Sequence, residues 1–164
     1  MNPVGAVPLR QALQREDVAE IRRIVSATGF FTAEELDIAE ELPRERLVRG
    51  AASGYEFLLA GEPGALIGYS CYGHIAGTRS SWDLYWIAVD PEVQGQGLGR
   101  RLLRETEAEV RAGGGSAIYI ETSSRDQYAA TRSFYEHNGY RLVARLTDFY
   151  APGDAKCIYR RDLA

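Results

Sequence analysis

The feature of the sequence that most constrains its fold is a run of glycines where a strand is expected to give way to a helix. The stretch "VDPEVQGQGLGRRLL" (89–103) places Gly95, Gly97 and Gly99 at alternate positions between an apolar run and an amphipathic pattern. Glycine at a helix start costs backbone entropy and adds nothing to a core. The first-turn amides of a helix, however, have no internal partner, and the helix dipole makes them electropositive. The stretch therefore predicts a phosphate site built from bare backbone.

Two common phosphate-binding motifs do not match these glycines. The dinucleotide fingerprint G-x-G-x-x-G fails because a start at Gly95 places Arg100 at the third glycine position. The nucleotide P-loop G-x-x-x-x-G-K-S/T fails because no lysine lies near the glycines. The pattern that fits is Q/R-x-x-G-x-G/A, which is met by Gln94, Gly97 and Gly99.

Hydrophobic periodicity predicts one α/β domain over residues 1–164. Strands are predicted at 7–13, 55–60, 65–73, 81–90, 116–122, 140–146 and 156–161. Helices are predicted at 15–29, 32–50, 98–112 and 127–139, and Pro43 is expected to break or kink the second. Consecutive strands joined by short turns pair antiparallel, whereas strand–helix–strand crossovers pair parallel. We therefore expect a mixed, mostly antiparallel, twisted sheet of about seven strands with helices on both faces.

Composition excludes several classes of protein. The 19 Lys and Arg residues against 23 Asp and Glu residues give a formal charge of −4, which argues against a nucleic-acid partner. No apolar run approaches the ~18 residues of a membrane span, and the N-terminus lacks the pattern of a signal peptide. Cys71 and Cys157 are too far apart in sequence for a disulfide framework, and neither histidine has a partner at metal-ligand spacing. We expect a cytoplasmic protein that binds no metal, nucleic acid or membrane.

Two motifs in the right order resemble those of the GNAT-superfamily N-acetyltransferases. The stretch "LYWIAVDPEVQGQGLGRRLL" is similar to the central strand, loop and helix of that family, and "TRSFYEHNGYRLV" is similar to its later FYEKxGF segment. The predicted order of strands and helices resembles the family fold over nearly the whole chain. The resemblance implies the acyl-CoA N-acyltransferase fold and transfer of an acetyl group from acetyl-CoA to an amine, without a covalent enzyme intermediate.

The resemblance also implies which residues would hold acetyl-CoA. The pyrophosphate would lie against the glycine loop, whose residues are Gln94, Gly95, Gln96, Gly97, Leu98, Gly99 and Arg100. The pantetheine arm would pair with the backbone of the fourth strand at Ile87, Ala88 and Val89. Tyr128 stands where many members carry an asparagine that binds the cofactor arm. Tyr128, Arg132 and Tyr135 are spaced to share one helical face, so the first two are candidate cofactor ligands.

The catalytic roles implied by the resemblance fall on three residues. Tyr135 occupies the position of the family's proton donor, and we expect it to protonate the departing thiolate as a general acid. Asp83 matches a catalytic glutamate on the fourth strand, although an aspartate at its usual pKa is a poor base without burial. Glu121 on the fifth strand is a second candidate, and ordered water is a third.

The acceptor is expected to be a primary amine of a small molecule, an amino acid or a peptide. Its site would have apolar walls and carboxylates that attract a cation, and the candidates are Phe30, Phe31, Trp82, Phe149 and Tyr150 with Asp83, Glu121 and Asp148. Two alternatives are a CoA-binding regulator without turnover and a non-enzymatic interaction domain. A homodimer through the last strands is a further expectation.

Overall fold

The computed structural model describes residues 4–163 of the chain. Four α-helices and seven β-strands lie in these residues, with short 3-10 turns between some of them. The helices are α1 (Asp17–Ala27), α2 (Ala33–Arg49), α3 (Leu98–Ala112) and α4 (Ala129–His137). The strands are β1 (Leu9–Arg10), β2 (Glu56–Glu62), β3 (Ala65–His74), β4 (Ser81–Val89), β5 (Ala117–Ser123), β6 (Arg141–Ala151) and β7 (Asp154–Asp162).

The strands form one seven-stranded sheet in the order β1-β2-β3-β4-β5-β7-β6. Strands β1 to β3 pair antiparallel in succession, and β7 pairs antiparallel with both β5 and β6. Strands β4 and β5 pair parallel, with Ser81–Asp83 opposite Ala117–Tyr119. That pair is parallel because α3 carries the chain back to the end of the sheet at which β4 begins, so that β5 runs in the same direction. The predicted mixed, mostly antiparallel sheet is thereby confirmed.

The chain divides into two compact units, each with its own set of contacts. The first unit comprises residues 4–73 and 86–108. Its core contains the apolar stripe of α1, with Ile21, Ile24 and Val25 fully buried in one cluster with side chains such as Tyr69 of β3. The buried hydroxyls of Ser70 and Thr106 hydrogen-bond at 2.8 Å and join β3 to α3.

The second unit comprises residues 74–85 and 109–163. The first half of β4 belongs to this unit, and the indole of Trp82 there packs on the glycine turn after α3. A Cβ added at Gly115 would stand 2.7 Å from the indole ring. On α4, Tyr135 packs its ring against Tyr140 and Tyr159, with centroids 5.9 and 6.2 Å apart. The expectation of a single domain stays a prediction.

The predicted break at Pro43 is wrong, because α2 runs as one helix from Ala33 to Arg49. A proline inside a helix removes one hydrogen bond and costs about 3 kcal/mol. Pro43 is buried together with Ala39, and Thr32 and Glu35 form a complete capping box at the start of the helix. Packing and capping therefore offset the local cost of the proline.

Strands β1 and β6 differ in length from the predictions. Strand β1 has only two residues instead of the predicted 7–13. Strand β6 continues past the predicted end at residue 146 to Ala151, because its pairing with β7 is irregular between Leu146 and Ala151 and tolerates a turn-like sequence. It lies at the sheet edge, and five of its large apolar side chains are between 43% and 52% exposed: Leu142, Val143, Leu146, Phe149 and Tyr150. The homodimer predicted through the last strands stays a prediction.

Candidate functional site

The glycine loop between β4 and α3 has a backbone conformation that requires glycine. Gly95 has φ of 76° and Gly97 has φ of 87°, both in the left-handed region that L side chains rarely adopt. A Cβ added at either position would meet no atom within 4 Å. Backbone conformation, and not crowding by neighbours, therefore demands glycine at these two positions.

The start of α3 is held against the sheet by a close contact in the first unit. Leu98, the first helical residue, is 1% exposed. A Cβ added at Gly68 of β3 would stand 3.1 Å from Leu98 Cδ2 and 3.2 Å from Leu102 Cδ1. The missing side chain at Gly68 lets the helix approach the strand. Sequence reasoning missed this residue, although a glycine inside a predicted strand signals a close approach.

Asp90 fixes the backbone at the point where the chain leaves β4. Its main-chain N–H donates to Ile67 O at 2.9 Å, and its carboxylate accepts from Glu92 N at 3.0 Å. Arg23 of α1 reaches the same carboxylate at 2.6 Å and also donates to Leu66 O. This guanidinium is the main cause that holds the pKa of Asp90 below its usual value. The loop thus begins from a charged, hydrogen-bonded anchor.

The loop and the first turn of α3 fit a phosphate ligand. The first main-chain hydrogen bond of the helix runs from Arg101 N to Gly97 O at 3.0 Å, so the amides of Leu98, Gly99 and Arg100 belong to the unpaired first turn. Loop residues Gln94 to Gly97 and Arg100 are exposed, whereas the Leu98 side chain is buried. Leu98 can therefore contribute only its backbone. The loop offers an anion N–H groups and the positive end of the helix dipole.

The backbone segment predicted to hold the cofactor arm follows in the second half of β4. Ala88 is 9% exposed and belongs to the core of the first unit, next to the partly buried Trp86. Ile87 and Val89 are half-buried. The side-chain amide of Gln94 donates from Nε2 to Val89 O at 3.3 Å, which joins the glycine loop to the end of the strand.

In the second unit, sheet register brings the two predicted carboxylates onto one face. Asp83 is opposite Tyr119 in the parallel pair, and Glu121 is two residues further along β5. Glu121 is opposite Ile158 of β7, and Lys156 is two residues before Ile158. Because side chains alternate along a strand, Asp83, Glu121 and Lys156 all project from the same side of the sheet. We call these three residues the carboxylate–lysine cluster.

The charges within the cluster interact directly. Lys156 Nζ lies 2.6 Å from Glu121 Oε2, and the side chains are 15% and 48% exposed. The same Nζ stands 4.3 Å from the centroid of the Phe149 ring. Burial, and secondarily the charge of Glu121, raises the pKa of Asp83 to about 6, against the opposing effect of Lys156. Sequence reasoning missed Lys156, although it is the only lysine in the chain.

Tyr135, the predicted general acid, is 6% exposed within the second unit. Burial raises the pKa of its phenol well above the usual range, so the group stays protonated at neutral pH. Among the hydrogen bonds between residues 4 and 163, none involves its hydroxyl, whereas the hydroxyl of neighbouring Tyr159 donates to Glu136 at 2.9 Å.

Tyr128 lies in the connection between β5 and α4, and Arg132 of α4 hydrogen-bonds to it. Tyr128 is buried and ends a 3-10 turn, since α4 begins only at Ala129. Of the three residues predicted to share one helical face, only Arg132 and Tyr135 therefore lie within α4, and Tyr128 is its N-cap. Arg132 donates to Ser123 O at 2.7 Å and to Arg125 O at 2.9 Å, and it thereby ties down the connection.

The predicted acceptor walls separate into buried and exposed side chains. Trp82 packs on the turn after α3 and projects from the opposite face of the sheet to Asp83, so the expectation that both line one pocket is wrong. Phe31 packs edge-on against Trp86 in the first unit, with ring centroids 5.1 Å apart. The remaining predicted walls are exposed by between 44% and 52%: Phe30, Phe149 and Tyr150.

The segment between the predicted sixth and seventh strands, residues 147–155, belongs largely to the β6–β7 hairpin. Asp148 adopts φ of 53°, and its carboxylate accepts from Gly153 N at 2.7 Å. This carboxylate therefore shapes the hairpin end. Across residues 4–163, no cluster of three or more His, Cys, Asp and Glu side chains has the arrangement of a metal site. Within the same residues, no helix combines the length and the apolar character needed to cross a membrane.

Comparison with known proteins assigns the chain to a family. The model of the acetyltransferase (GNAT) domain matches residues 53–142. The chain is 33% identical over 101 residues to the N-alpha-acetyltransferase RimI of Mycobacterium tuberculosis, which covers 60% of this chain and 61% of the relative. It is 37% identical over 99 residues to the blasticidin-S acetyltransferase of Streptomyces morookaense, covering 60% of this chain and 68% of the relative. The matched stretch thus spans 61% and 68% of these relatives' own lengths.

A solved structure extends the similarity to nearly the whole chain. A GNAT-family protein of Desulfovibrio desulfuricans superposes with a TM-score of 0.94 at 48% sequence identity. The match covers 97% of this chain and 100% of that chain. The family model contains β4, the glycine loop and α4, which are the elements that carry the two sequence motifs. By fold and by sequence, this chain is a member of the GNAT acetyltransferase family.

Proposed function

We propose that the chain is an N-acetyltransferase that moves the acetyl group of acetyl-CoA to a primary amine. The observation that carries the proposal is the glycine loop, whose left-handed Gly95 and Gly97 leave bare backbone before α3. Such a surface suits a ligand that brings phosphate close to main-chain N–H groups. Acetyl-CoA supplies the pyrophosphate for the loop and an activated acetyl thioester for the transfer.

The loop residues would bind the pyrophosphate mainly through their backbone. This role falls on Gln94, Gly95, Gln96, Gly97, Leu98, Gly99 and Arg100. The exposed Arg100 adds a positive charge at the start of α3. The main chain of Ile87, Ala88 and Val89 would pair with the pantetheine arm as a neighbouring strand would. Tyr128 and Arg132 would shape the connection before α4 on the cofactor side.

Tyr135 would donate a proton to the departing thiolate. Its buried phenol is protonated at neutral pH, as a general acid must be. Its raised pKa makes proton donation more costly than for a free phenol, so the thiolate must also be formed out of contact with water to become a stronger base.

Asp83 is the better supported of the two candidate bases. An alkylammonium is almost wholly protonated at neutral pH, so a base that accepts its proton helps the attack. The pKa of about 6 brings Asp83 into the range of a useful general base, whereas Glu121 is committed to Lys156 at 2.6 Å. We therefore assign the base to Asp83 and a supporting role to Glu121.

The acceptor class follows from the face on which Asp83 lies. Half-exposed carboxylates beside the exposed rings of Phe149 and Tyr150 suit a cationic amine with some apolar surface. Both a small-molecule amine and a peptide amino group have this chemistry. The two relatives described above are named for one acceptor of each kind.

Thermal melting with acetyl-CoA, and with CoA and NAD as controls, tests the proposal. A ligand at a hundred times its dissociation constant stabilises by about 2.7 kcal/mol. For a chain of this size, the melting temperature should rise by about 5–11 °C. Release of free thiol with a panel of amines then tests turnover.

Each result of these two measurements has a distinct meaning. A shift with acetyl-CoA and CoA but not with NAD, followed by thiol release, supports the enzyme. A shift without thiol release for any amine indicates a CoA-binding regulator. Absence of a shift at millimolar acetyl-CoA contradicts the proposed function and favours an interaction domain.

A further inference from the structure

The chain uses arginine for almost every positive charge. Of its 19 Lys and Arg residues, only Lys156 is a lysine. A guanidinium stays charged in proteins and is a poor nucleophile, whereas a lysine amine can lose its proton and attack a carbonyl. Apart from the terminal amino group, Lys156 is therefore the one aliphatic amine in the sequence. The surroundings of Lys156 in the fold therefore decide whether its amine can react.

Lys156 lies in the carboxylate–lysine cluster, and its side chain is largely buried there. Its Nζ is held between Glu121 Oε2 at 2.6 Å and the face of Phe149 at 4.3 Å. Carboxylate on one side and an aromatic ring on the other is the arrangement that recognises an ammonium group. The candidate base Asp83 projects from the same face, and the charge of Lys156 lowers its pKa. The side chain thus occupies surroundings that suit an amine substrate.

We propose that Lys156 is a self-acetylation site, modified by the protein's own acetyl transfer. This inference rests on the proposed function, because acetyl-CoA supplies the acetyl group. The Lys156 nitrogen forms a bond to the thioester carbonyl carbon, the carbon–sulfur bond breaks, and its electron pair leaves on sulfur. The ammonium loses two protons in all. One goes to sulfur to give free CoA, and the other passes through the neighbouring carboxylates to solvent.

Acetylation would change the cluster in a defined direction. The amide has no positive charge, so the ion pair with Glu121 and the contact between a cation and the Phe149 ring are both lost. The effect of Lys156 that lowers the pKa of Asp83 is lost as well. The modified chain would present the Glu121 carboxylate without its cation on this face, which favours binding of a cationic acceptor.

The experiment is intact-mass and peptide-mass analysis of the pure chain incubated with acetyl-CoA at neutral pH. We expect one added acetyl group on Lys156, slowed by excess CoA and absent in Lys156→Arg. Asp83→Asn should slow the modification by about 10²-fold or more, as expected for loss of a general base. Kinetics of first or second order in protein distinguish transfer within one chain from transfer between copies.

An internal reference separates catalysed from spontaneous acetylation. Arg15 is exposed in the turn before α1, and Arg15→Lys adds a second lysine in open solvent. An uncatalysed reaction would modify the exposed lysine faster than Lys156, which is only 15% exposed. Catalysed self-acetylation predicts the opposite order in the folded chain and the loss of this preference after thermal unfolding.

Two results would overturn the inference, and they are distinguishable from each other. If the chain shows the melting shift with acetyl-CoA but Lys156 stays unmodified or reacts no faster than the reference lysine, self-acetylation is wrong while the proposed function stands. If acetyl-CoA gives neither a melting shift nor modification, the proposed function fails and the self-acetylation site fails with it.

Discussion

The glycine loop in the first unit and the carboxylate–lysine cluster in the second are built in opposite ways. The loop presents backbone, because side chains are absent at Gly95 and Gly97 and buried at Leu98, and its exposed side chains are those of Gln94, Gln96 and Arg100. The cluster presents side chains from β4, β5 and β7 whose charges shift one another, with Asp83 the most affected. The conformation of the backbone site follows mainly from local glycines, although Arg23 and Gly68 help to hold it, whereas the side-chain site needs the sheet register to be correct.

This difference predicts a separation of roles: the loop should govern cofactor binding, and the second unit should govern the rate of transfer. Substitutions in the two regions test that separation. Their expected effects decrease in the order in which they follow.

Tyr135→Phe should give the largest effect. Loss of a general acid lowers kcat by about 10²- to 10⁴-fold. The melting shift with acetyl-CoA should persist, and stability should change by less than about 1 kcal/mol because the hydroxyl makes no hydrogen bond in the part of the chain described, residues 4–163. The measurement is thiol release beside thermal melting.

Tyr159→Phe is the matched control for Tyr135→Phe. It removes a buried hydroxyl that donates to Glu136 at 2.9 Å, so it should cost about 1–3 kcal/mol of stability and leave kcat nearly unchanged. An equal loss of rate in both variants would refute the assignment of the acid to Tyr135.

Gly97→Ala should weaken the loop. A left-handed conformation costs an L residue about 1–2 kcal/mol, and a relaxed backbone would no longer present its amides. We expect a lower melting temperature and a smaller shift with acetyl-CoA, both measured by thermal melting. Gly77→Ala carries the same strain at φ of 81° with no atom within 4 Å, and it should lower stability while the cofactor shift remains intact.

Asp83→Asn should stabilise the folded chain at neutral pH. The folded pKa of about 6 lies above the unfolded value near 3.8, so the native carboxyl binds its proton more tightly. The stability that this proton contributes is complete below the unfolded pKa and is lost as pH rises from about 4 to about 6. After discounting for partial exposure, the variant should be more stable by about 1–2 kcal/mol at pH 7 and equal to the parent at pH 3.5. Denaturant unfolding at both pH values provides the measurement, and equal stability at pH 7 would contradict the raised pKa.

Lys156→Met should have the smallest effect. Removal of the cation raises the pKa of Asp83 further, because the opposing charge of Lys156 is lost. NMR titration of the Asp83 carboxyl carbon measures the shift directly. Lys156→Arg keeps the charge and should leave the titration close to that of the parent chain, whereas a downward shift in Lys156→Met would contradict the proposed cluster.

The two regions also differ in how far the sequence predicts them. The glycine loop and α3 were predictable because spacing of glycines and apolar residues is a local signal, as at Gly97 and Leu98. Asp83 and Glu121 were predictable as candidates through family resemblance. The ion pair between Glu121 and Lys156 was not, because it depends on which residues of β5 and β7 face each other across the sheet. The continuity of α2 through Pro43 was missed for the same reason, since packing decides it.

Strand β6 has a consequence for how the protein behaves in concentrated solution. Its pairing with β7 shifts register between Leu142 and Ala144 and again between Leu146 and Ala151, so the outer edge is not one long, straight ladder. Charged Arg141 and Arg145 interrupt the exposed apolar side chains. Irregular, charged edges hinder the edge-to-edge pairing of strands from different molecules that leads to fibres. Open-ended pairing of β6 with other copies of the chain should therefore be disfavoured, and the chain should stay dispersed when it is concentrated.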